Sequence, residues 1–478
     1  MEETKEAAIS SVDEIAERLC SMSDALWDHP QVKFQETYAA ELFETKLQEE
    51  GFAVRKGLGG IPTAFSGTFG SGRPVIGLLG EFDALPGMSQ EPGILEKKAV
   101  QEGAPGHGCG HNLLGVGAFG AAVAVKRYLQ QNHLPGTVVF FGCPAEEGGS
   151  GKGFMARAHV FDDVDAAFTW HPGEVNSVSV SSTMANYQIC YRFYGKASHA
   201  AMAPERGRSA LDALELMNVG VQFLREHVPN DTRIHYAITN TGGSAPGVVQ
   251  DYAEAMYLMR AANLDDVREL YRRVNLVAQG AATMTETKAR AQFIKACSNI
   301  LVNSRLCKVM QDNLLAVPAP EYSKEEQEYA RALQATAGSG KTYFDQLYAG
   351  CTDAQERKAF EVQKSLPLHA GPLPLGKESS GFVSSDVGDV SWNCPTAQIN
   401  GTTMPAGLAM HSWQVVSVGK SSIAHKGMLY AAKVMAGSAI DALTDESVVR
   451  EAKEEMDRRT GGAKYVCPIP EDVKPYIG

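Results

Sequence analysis

The 478-residue chain has no apolar run long enough to span a bilayer. Its longest, Leu113 to Val125, covers 13 residues, short of the ~20 that a transmembrane helix needs. Its Gly/Ala content reads instead as a buried helix. Positive charge is also scarce: 44 Lys and Arg stand against 56 Asp and Glu, for a net charge of −12. Neither nucleic acid nor an anionic membrane surface is therefore expected as the main partner. The opening MEETKEAAISS is acidic and lacks the apolar core of a secretory signal. Cysteines are few, scattered and odd in number, nine in all. That excludes a disulfide framework and fits a reducing cytoplasm. No internal repeat is visible.

What is present is ordinary for a globular protein, 44% hydrophobic and 21% charged. The length exceeds what one core usually serves, so two domains are expected. Residues 10–50 carry helical periodicity up to Gly51. Apolar strands follow at Pro74–Leu79, Thr137–Phe141 and Asp165–Trp170, with a helix over Leu113–Leu129 between the first two. Alternating strands and helices predict an α/β sheet covered on both faces. From residue 185 the pattern changes. Strands at Tyr187–Tyr194, Arg233–Thr239, Tyr252–Met259 and Thr287–Phe293 enclose two helical faces, Leu211–Leu224 and Val267–Val277. The order βαββαβ is that of a ferredoxin-like domain, here inserted over 186–300 into a larger domain formed by 1–185 and 301–478. Residues 318–380 read as a long irregular segment with one short helix near Glu325–Leu333. The Pro-rich tail beyond 446 reads as an extended arm.

Chemistry concentrates at Gly106-His107-Gly108-Cys109-Gly110-His111. Thiolate and imidazole two residues apart, at the mouth of a helix, make a candidate metal half-site, and the helix dipole should favour the thiolate. Asp83, Glu146–Glu147 and His171 each follow a predicted strand. Ligands bind beyond the carboxyl ends of strands in open α/β sheets, so these groups should converge, with His411 as a distal partner. Cys109, His111, Glu147, His171 and His411 are more donors than one structural zinc needs and suit two metals. Glu146 and Glu147 cannot point the same way in an extended segment, so one can ligate while the other acts as general base. Asp83 is placed to accept a hydrogen bond from a ligand histidine. His107 reads as a turn residue.

Two glycine-rich stretches are decoys. Ala337-Gly338-Ser339-Gly340-Lys341-Thr342 has Ala335 where a phosphate-binding loop needs glycine, and no strand precedes it. Gly148-Gly149-Ser150-Gly151-Lys152-Gly153 lacks the dinucleotide fingerprint and is read as letting backbone pass close to the site.

The segments WDHPQVKFQETYAAELFETKLQEEGF (27–52), GEFDALPG (80–87), GHGCGHNLLG (106–115), PAEEGGSG (144–151), GKASHAAMAP (195–204) and AMHSW (409–413) occur in that order. Together they resemble the aminoacylase/carboxypeptidase family of metallopeptidases, in the amidohydrolase branch of the hippurate and indole-acetyl-amino-acid hydrolases. The resemblance implies a mixed-sheet α/β catalytic domain of the zinc-exopeptidase type, two divalent ions (zinc or manganese) and an inserted domain that dimerises. It gives Cys109, His111, Glu147, His171 and His411 the ligand roles and Glu146 the base role. It also implies that His199, in the inserted domain, polarises the substrate carbonyl, often in the partner subunit's site.

Asn112 replaces the aspartate usual in this branch, as in its aminobenzoyl-glutamate subgroup. Gly247 stands where a lid asparagine is common, leaving Arg208 and Arg260 as candidates for carboxylate recognition. The activity implied is hydrolysis of an N-acyl or N-aroyl amino acid by a metal-activated water, in a homodimer or a hetero-oligomer. The alternatives are a dipeptidase on unusual dipeptides and a catalytically silent metal-binding member of a hetero-oligomer.

Overall fold

A computed structural model describes residues 3–338 and 342–477. The N-terminal helical region forms three helices, Glu3–Glu14, Ala16–Asp28 and Thr37–Glu49. The second ends before Pro30, which disfavours helical backbone at His29. In chain order the strands are β1 Ala53–Lys56, β2 Phe65–Ser71, β3 Val75–Glu81, β4 Gly136–Cys143, β5 Ala166–Gly173, β6 Val175–Ser179, β7 Ser181–Ser182, β8 Ala185–Tyr194, β9 Arg233–Asn240, β10 Tyr252–Ala261, β11 Lys288–Cys297, β12 His369–Pro372, β13 Ser379–Ser380 and β14 Thr396–Thr402.

Eight of them form a mixed sheet in the order β1-β2-β4-β3-β5-β14-β6-β12. Its centre, β4-β3-β5-β14, is parallel, and the edge pairs β1–β2 and β2–β4 are antiparallel. Parallel strands are buried on both faces, so their sequences are continuously apolar; β4, GTVVFFGC, is buried along its whole length. The His111–Asn132 helix, buried without a break from His111 to Val125, packs on this sheet beside the Ser422–Thr444 helix. Fully buried Trp170 of β5 ties sheet to helix by donating its Nε1–H to the Leu114 carbonyl at 2.9 Å. Because the central strands are parallel, β3, β4 and β5 present their carboxyl ends at one edge.

A second, four-stranded antiparallel sheet has the order β11-β8-β10-β9, the ferredoxin-like arrangement expected. Helices Ala210–Leu224 and Leu264–Met284 cover the face carrying Ile189, Tyr191, Tyr257 and Met259. The opposite face carries Asn186, Gln188, Leu258 and Arg260.

Residues 318–380 are more ordered than expected. Helices Lys324–Ala335, Tyr343–Gly350 and Ala354–Gln363 occupy them. Local capping explains this. Ser323 with Glu326, and Thr342 with Asp345, form reciprocal capping boxes, and the Asp353 side chain caps the third helix. Half of the phosphate-loop decoy, 339–341, lies outside the described residues. The tail likewise begins with a helix, Glu446–Thr460, before becoming an extended arm. No helix among the described residues is long and apolar enough to cross a membrane.

Candidate metal centre

The glycine-rich turn before the His111 helix is held against the sheet edge. Gly110 takes φ 74°, which glycine adopts without strain. A Cβ there would lie 2.9 Å from the Pro172 ring, so only glycine lets the turn seat beside β5. The His411 N–H donates to the Gly108 carbonyl at 2.9 Å, bringing the distant AMHSW segment to the same place. His411 itself holds φ 60°, an uncommon conformation for a non-glycine residue that clusters at functional sites. Ala145 and Ser150, either side of the glutamate pair, share it at φ 61° and 54°.

Cys109 Sγ lies 3.4 Å from His171 Nε2. His111 Nδ1 is 3.0 Å from Asp83 Oδ1, and its Nε2 is 3.3 Å from Glu81 Oε2. Asp83 Oδ2 accepts the Glu147 N–H at 2.9 Å. His411 Nε2 is 3.3 Å from Glu147 Oε1. Three overlapping groups have donor atoms mutually within 4.8 Å: Cys109–His111–His171, Cys109–Glu147–His411 and Glu81–His111–Glu146. All five residues expected as ligands thus fall into groups that share members. His171 lies within β5 rather than after it. Its Nδ1 sits 2.8 Å from the Pro172 carbonyl; that nitrogen must carry the proton, which leaves Nε2 free to donate a lone pair.

The expected thiolate at Cys109 is not favoured by the helix. Burial first, and then the Glu147 carboxylate, push this thiol up. Cys109 precedes the Gly110 cap and lies outside the first helical turn, where the dipole acts. A thiolate there requires an adjacent cation. The surroundings fit one: thiol, imidazole and carboxylate donors converge, and buried His111 Nε2, though 3.3 Å from Glu81 Oε2, makes no hydrogen bond among the described residues. This donor set suits divalent transition metals.

The Glu146–Glu147 pair also departs from expectation. Both residues open a short helical turn, Glu146–Gly149, so their side chains diverge by about 100° rather than alternating across a strand. The Glu36 carboxylate anchors that turn by accepting the Ala145 N–H at 2.9 Å. Burial, reinforced by the Glu81 and Asp386 carboxylates, raises Glu146 well above the usual range. Burial also pushes on Glu147, but His411 and His111 outweigh it and hold Glu147 at about 2. Adjacent carboxyls driven apart in this way are the mark of divided acid/base roles. His107 is buried with Nε2 3.1 Å from the Leu26 carbonyl; burial and then the His111 charge lower it to about 3, so it stays neutral.

Three residues went unread in the sequence: Glu81, Lys152 and Asp386. Lys152 is fully buried, with Nζ 2.6 Å from Glu81 Oε1 and ion-paired to Asp386. Asp386 also accepts the Lys152 N–H at 2.8 Å. The available signal was the Glu81/Asp83 spacing of two, which puts both carboxylates on one side of a strand end. Lys152 was hidden in the second glycine-rich decoy. There the close approach is real: a Cβ on Gly151 would lie 1.9 Å from the Pro144 carbonyl oxygen.

Asn112 is buried and donates to Ser23 Oγ and the Gly419 carbonyl at 3.0 and 3.2 Å. His199 stands apart. It is exposed, and its Nδ1 accepts the Ala201 and Met202 N–H groups. Among the described residues no hydrogen bond or ion pair joins it to the cluster. Arg208 is engaged by Glu286 and local carbonyls. Arg260 instead lines a cavity of about 160 Å³ with Glu146, Glu147 and His411.

The chain is 45% identical over 461 residues to one of the subunits of p-aminobenzoyl-glutamate hydrolase of Escherichia coli (strain K12), covering 96% of each. It is 30% identical over 332 residues to the Xaa-Arg dipeptidase of Mus musculus, covering 66% of this chain and 71% of that protein. The solved structure of the Bacillus subtilis YXEP protein, a dinuclear metal binding peptidase from the M20 family, matches with a TM-score of 0.52 at 16% identity, covering 89% of this chain and 98% of its own. The family model matches residues 77–363, and the chain belongs to peptidase family M20/M25/M40.

Proposed function

We propose that the protein hydrolyses the amide bond between an acyl or aroyl group and an amino acid, in conjugates of the aminobenzoyl-glutamate kind. The convergence of Cys109, His111, His171, Glu147 and His411 around Glu146 carries this reading. These five would hold two divalent ions, zinc or manganese, with the thiol favouring zinc. When bound, such ions acidify water and polarise the scissile carbonyl. Glu146, raised above the usual carboxylate range, takes the proton from the attacking water and returns it to the departing amine. Glu147 remains ionised as a donor. Asp83 orients His111 by accepting from its Nδ1. Asp83→Asn should weaken metal affinity about 10–100-fold, measured by competition with a chromophoric chelator; unchanged affinity would remove this role.

In the same reading, 186–300 forms a separate dimerising domain and 1–185 with 301–478 the catalytic one. Exposed Val219, Phe223 and Leu276 on its helices, and Tyr236 and Ile238 on edge strand β9, support an interface there. His199 then serves the partner subunit's site, donating to the carbonyl oxygen as negative charge develops. His199→Ala should lower kcat about 10²–10³-fold without changing metal content. Equal activity in the variant and the parent would reject that role. Nine unpaired cysteines support a cytoplasmic setting. The Escherichia coli relative is named as one subunit of its enzyme, which makes a hetero-oligomer the alternative assembly. Light scattering on the isolated chain separates that from a homodimer.

The test is a panel on purified, metal-reconstituted protein: N-benzoyl amino acids, aminobenzoyl-glutamate, and neutral and basic dipeptides. The highest kcat/KM is expected on the aroyl conjugates. Turnover of dipeptides alone would overturn the reading, and absence of both metal and turnover would favour a catalytically silent role.

A further inference from the structure

The longest of the segments that carry the resemblance, 27–52, supplies no member of the metal cluster. It does supply Glu36, which is fully buried just ahead of the Thr37–Glu49 helix. The Glu36 carboxyl collects three donors from three separate stretches of chain. Its Oε1 accepts the Phe34 and Ala145 N–H groups, both at 2.9 Å. Its Oε2 accepts the Thr63 hydroxyl at 3.0 Å. Among the described residues no cation pairs with it, and no hydrogen bond or ion pair joins it to a donor of the metal cluster. A buried carboxyl without a cation is costly. An apolar side chain would fill the same space, but would leave two backbone N–H groups unpaired.

Those two N–H groups belong to strained residues. Phe34 and Ala145 both hold left-handed backbone, at φ 60° and 61°, which non-glycine residues keep only where their surroundings impose it. Ala145 is the N-cap of the Glu146–Gly149 turn, and its methyl group cannot cap. In a capping box, the side chain three residues on accepts the N-cap N–H; here that residue is Gly148. Glu36 makes that bond from 109 positions away, and Asp83 takes the Glu147 N–H. Two distant carboxylates thus replace the local capping box. Phe34 closes the other side of the turn. A Cβ on Gly149 would lie 2.6 Å from both the Ala145 Cβ and the Phe34 ring.

We infer that Glu36 is a positioning residue: from outside the site, its carboxyl holds the strained turn that aims Glu146 and Glu147. Without it, Ala145 relaxes to negative φ and both glutamates leave the backbone in a new direction. A misplacement of about 1 Å costs about 10²-fold in rate. This rests on the amide-hydrolase reading, with Glu146 as the base, and adds the group that aims it.

The test uses the full-length protein at saturating zinc with an N-benzoyl amino acid. Glu36→Gln keeps an oxygen for the Phe34 and Ala145 N–H groups and should stay close to the parent in kcat. Glu36→Met removes the acceptor, and Glu36→Asp, shorter by one methylene, draws it back. Each should lower kcat about 10- to 100-fold with KM little changed, and Glu36→Asp alone decides if Glu36→Met does not fold. Adding Ala145→Gly to either should recover part of kcat, because glycine holds positive φ without strain. A general loss of core stability would gain nothing from that change. Parent-like kcat in both Glu36→Met and Glu36→Asp would overturn the inference. So would a loss confined to KM, or one that Ala145→Gly leaves untouched. If the parent turns over no conjugate, the hydrolase reading falls and calorimetric zinc titration decides the role of Glu36. Weaker binding in Glu36→Met, with parent-like binding in Glu36→Gln, keeps it as the holder of the turn; equal binding in all three removes it.

Discussion

Glu146→Gln is expected to lower kcat about 10²–10⁴-fold, the usual contribution of a positioned proton acceptor, while the protein keeps its metal. The amide preserves the size of the side chain but cannot accept a proton. Glu146 belongs to a donor group with Glu81 and His111, but the other two groups, built on Cys109, do not include it. Loss of rate should therefore separate from loss of metal. Its environment suits proton shuttling. Burial together with the Glu81 and Asp386 carboxylates lifts it, while the next residue, Glu147, is held at about 2 by His411 and His111 against its own burial. Parallel assays of kcat and of metal by elemental analysis decide the matter. Near-normal turnover would reject Glu146 as the base; parallel loss of metal and rate would make it a ligand.

Lys152→Met should destabilise the fold by about 3–5 kcal/mol, the penalty for breaking a buried ion pair and stranding the other charge. Lys152 is fully buried between Glu81 and Asp386, each within ion-pair distance. Burial opposes its charge, but these two carboxylates outweigh it and raise it well above the usual lysine range. Methionine fills the space and leaves two carboxylates facing each other at the base of the site. Adding Asp386→Asn should recover part of the loss, since one stranded charge is removed. Urea unfolding of the parent, the single and the double variant measures both effects. A single variant as stable as the parent would show that the triad contributes nothing net to stability.

The parallel sheet was legible because buried strands such as β4 read as unbroken apolar runs. The second sheet was legible because its strands alternate between a helix-covered and an open face. Cys109, His111, Glu147, His171 and His411 were reachable by chemistry and by the strand-end rule. What stayed hidden depended on contacts distant in sequence. Glu81 and Lys152 look like a strand-end acid and a loop lysine until Asp386, more than 200 positions on, closes the triad. The helical character of Glu146–Gly149 follows from Ala145 at φ 61°, a strained residue no propensity would assign. The helices at 324–363 were readable after all, through Ser323–Glu326 and Thr342–Asp345, but the Pro/Gly content masked them.

The most direct measurement follows metal content and hydrolysis of an aroyl amino acid in one sample, stripped by chelator and titrated back with zinc or manganese. Activity should vanish with the metal and return with it, saturating near two ions per chain, and His111→Ala should abolish both binding and recovery. Undiminished hydrolysis by metal-free protein would contradict the account.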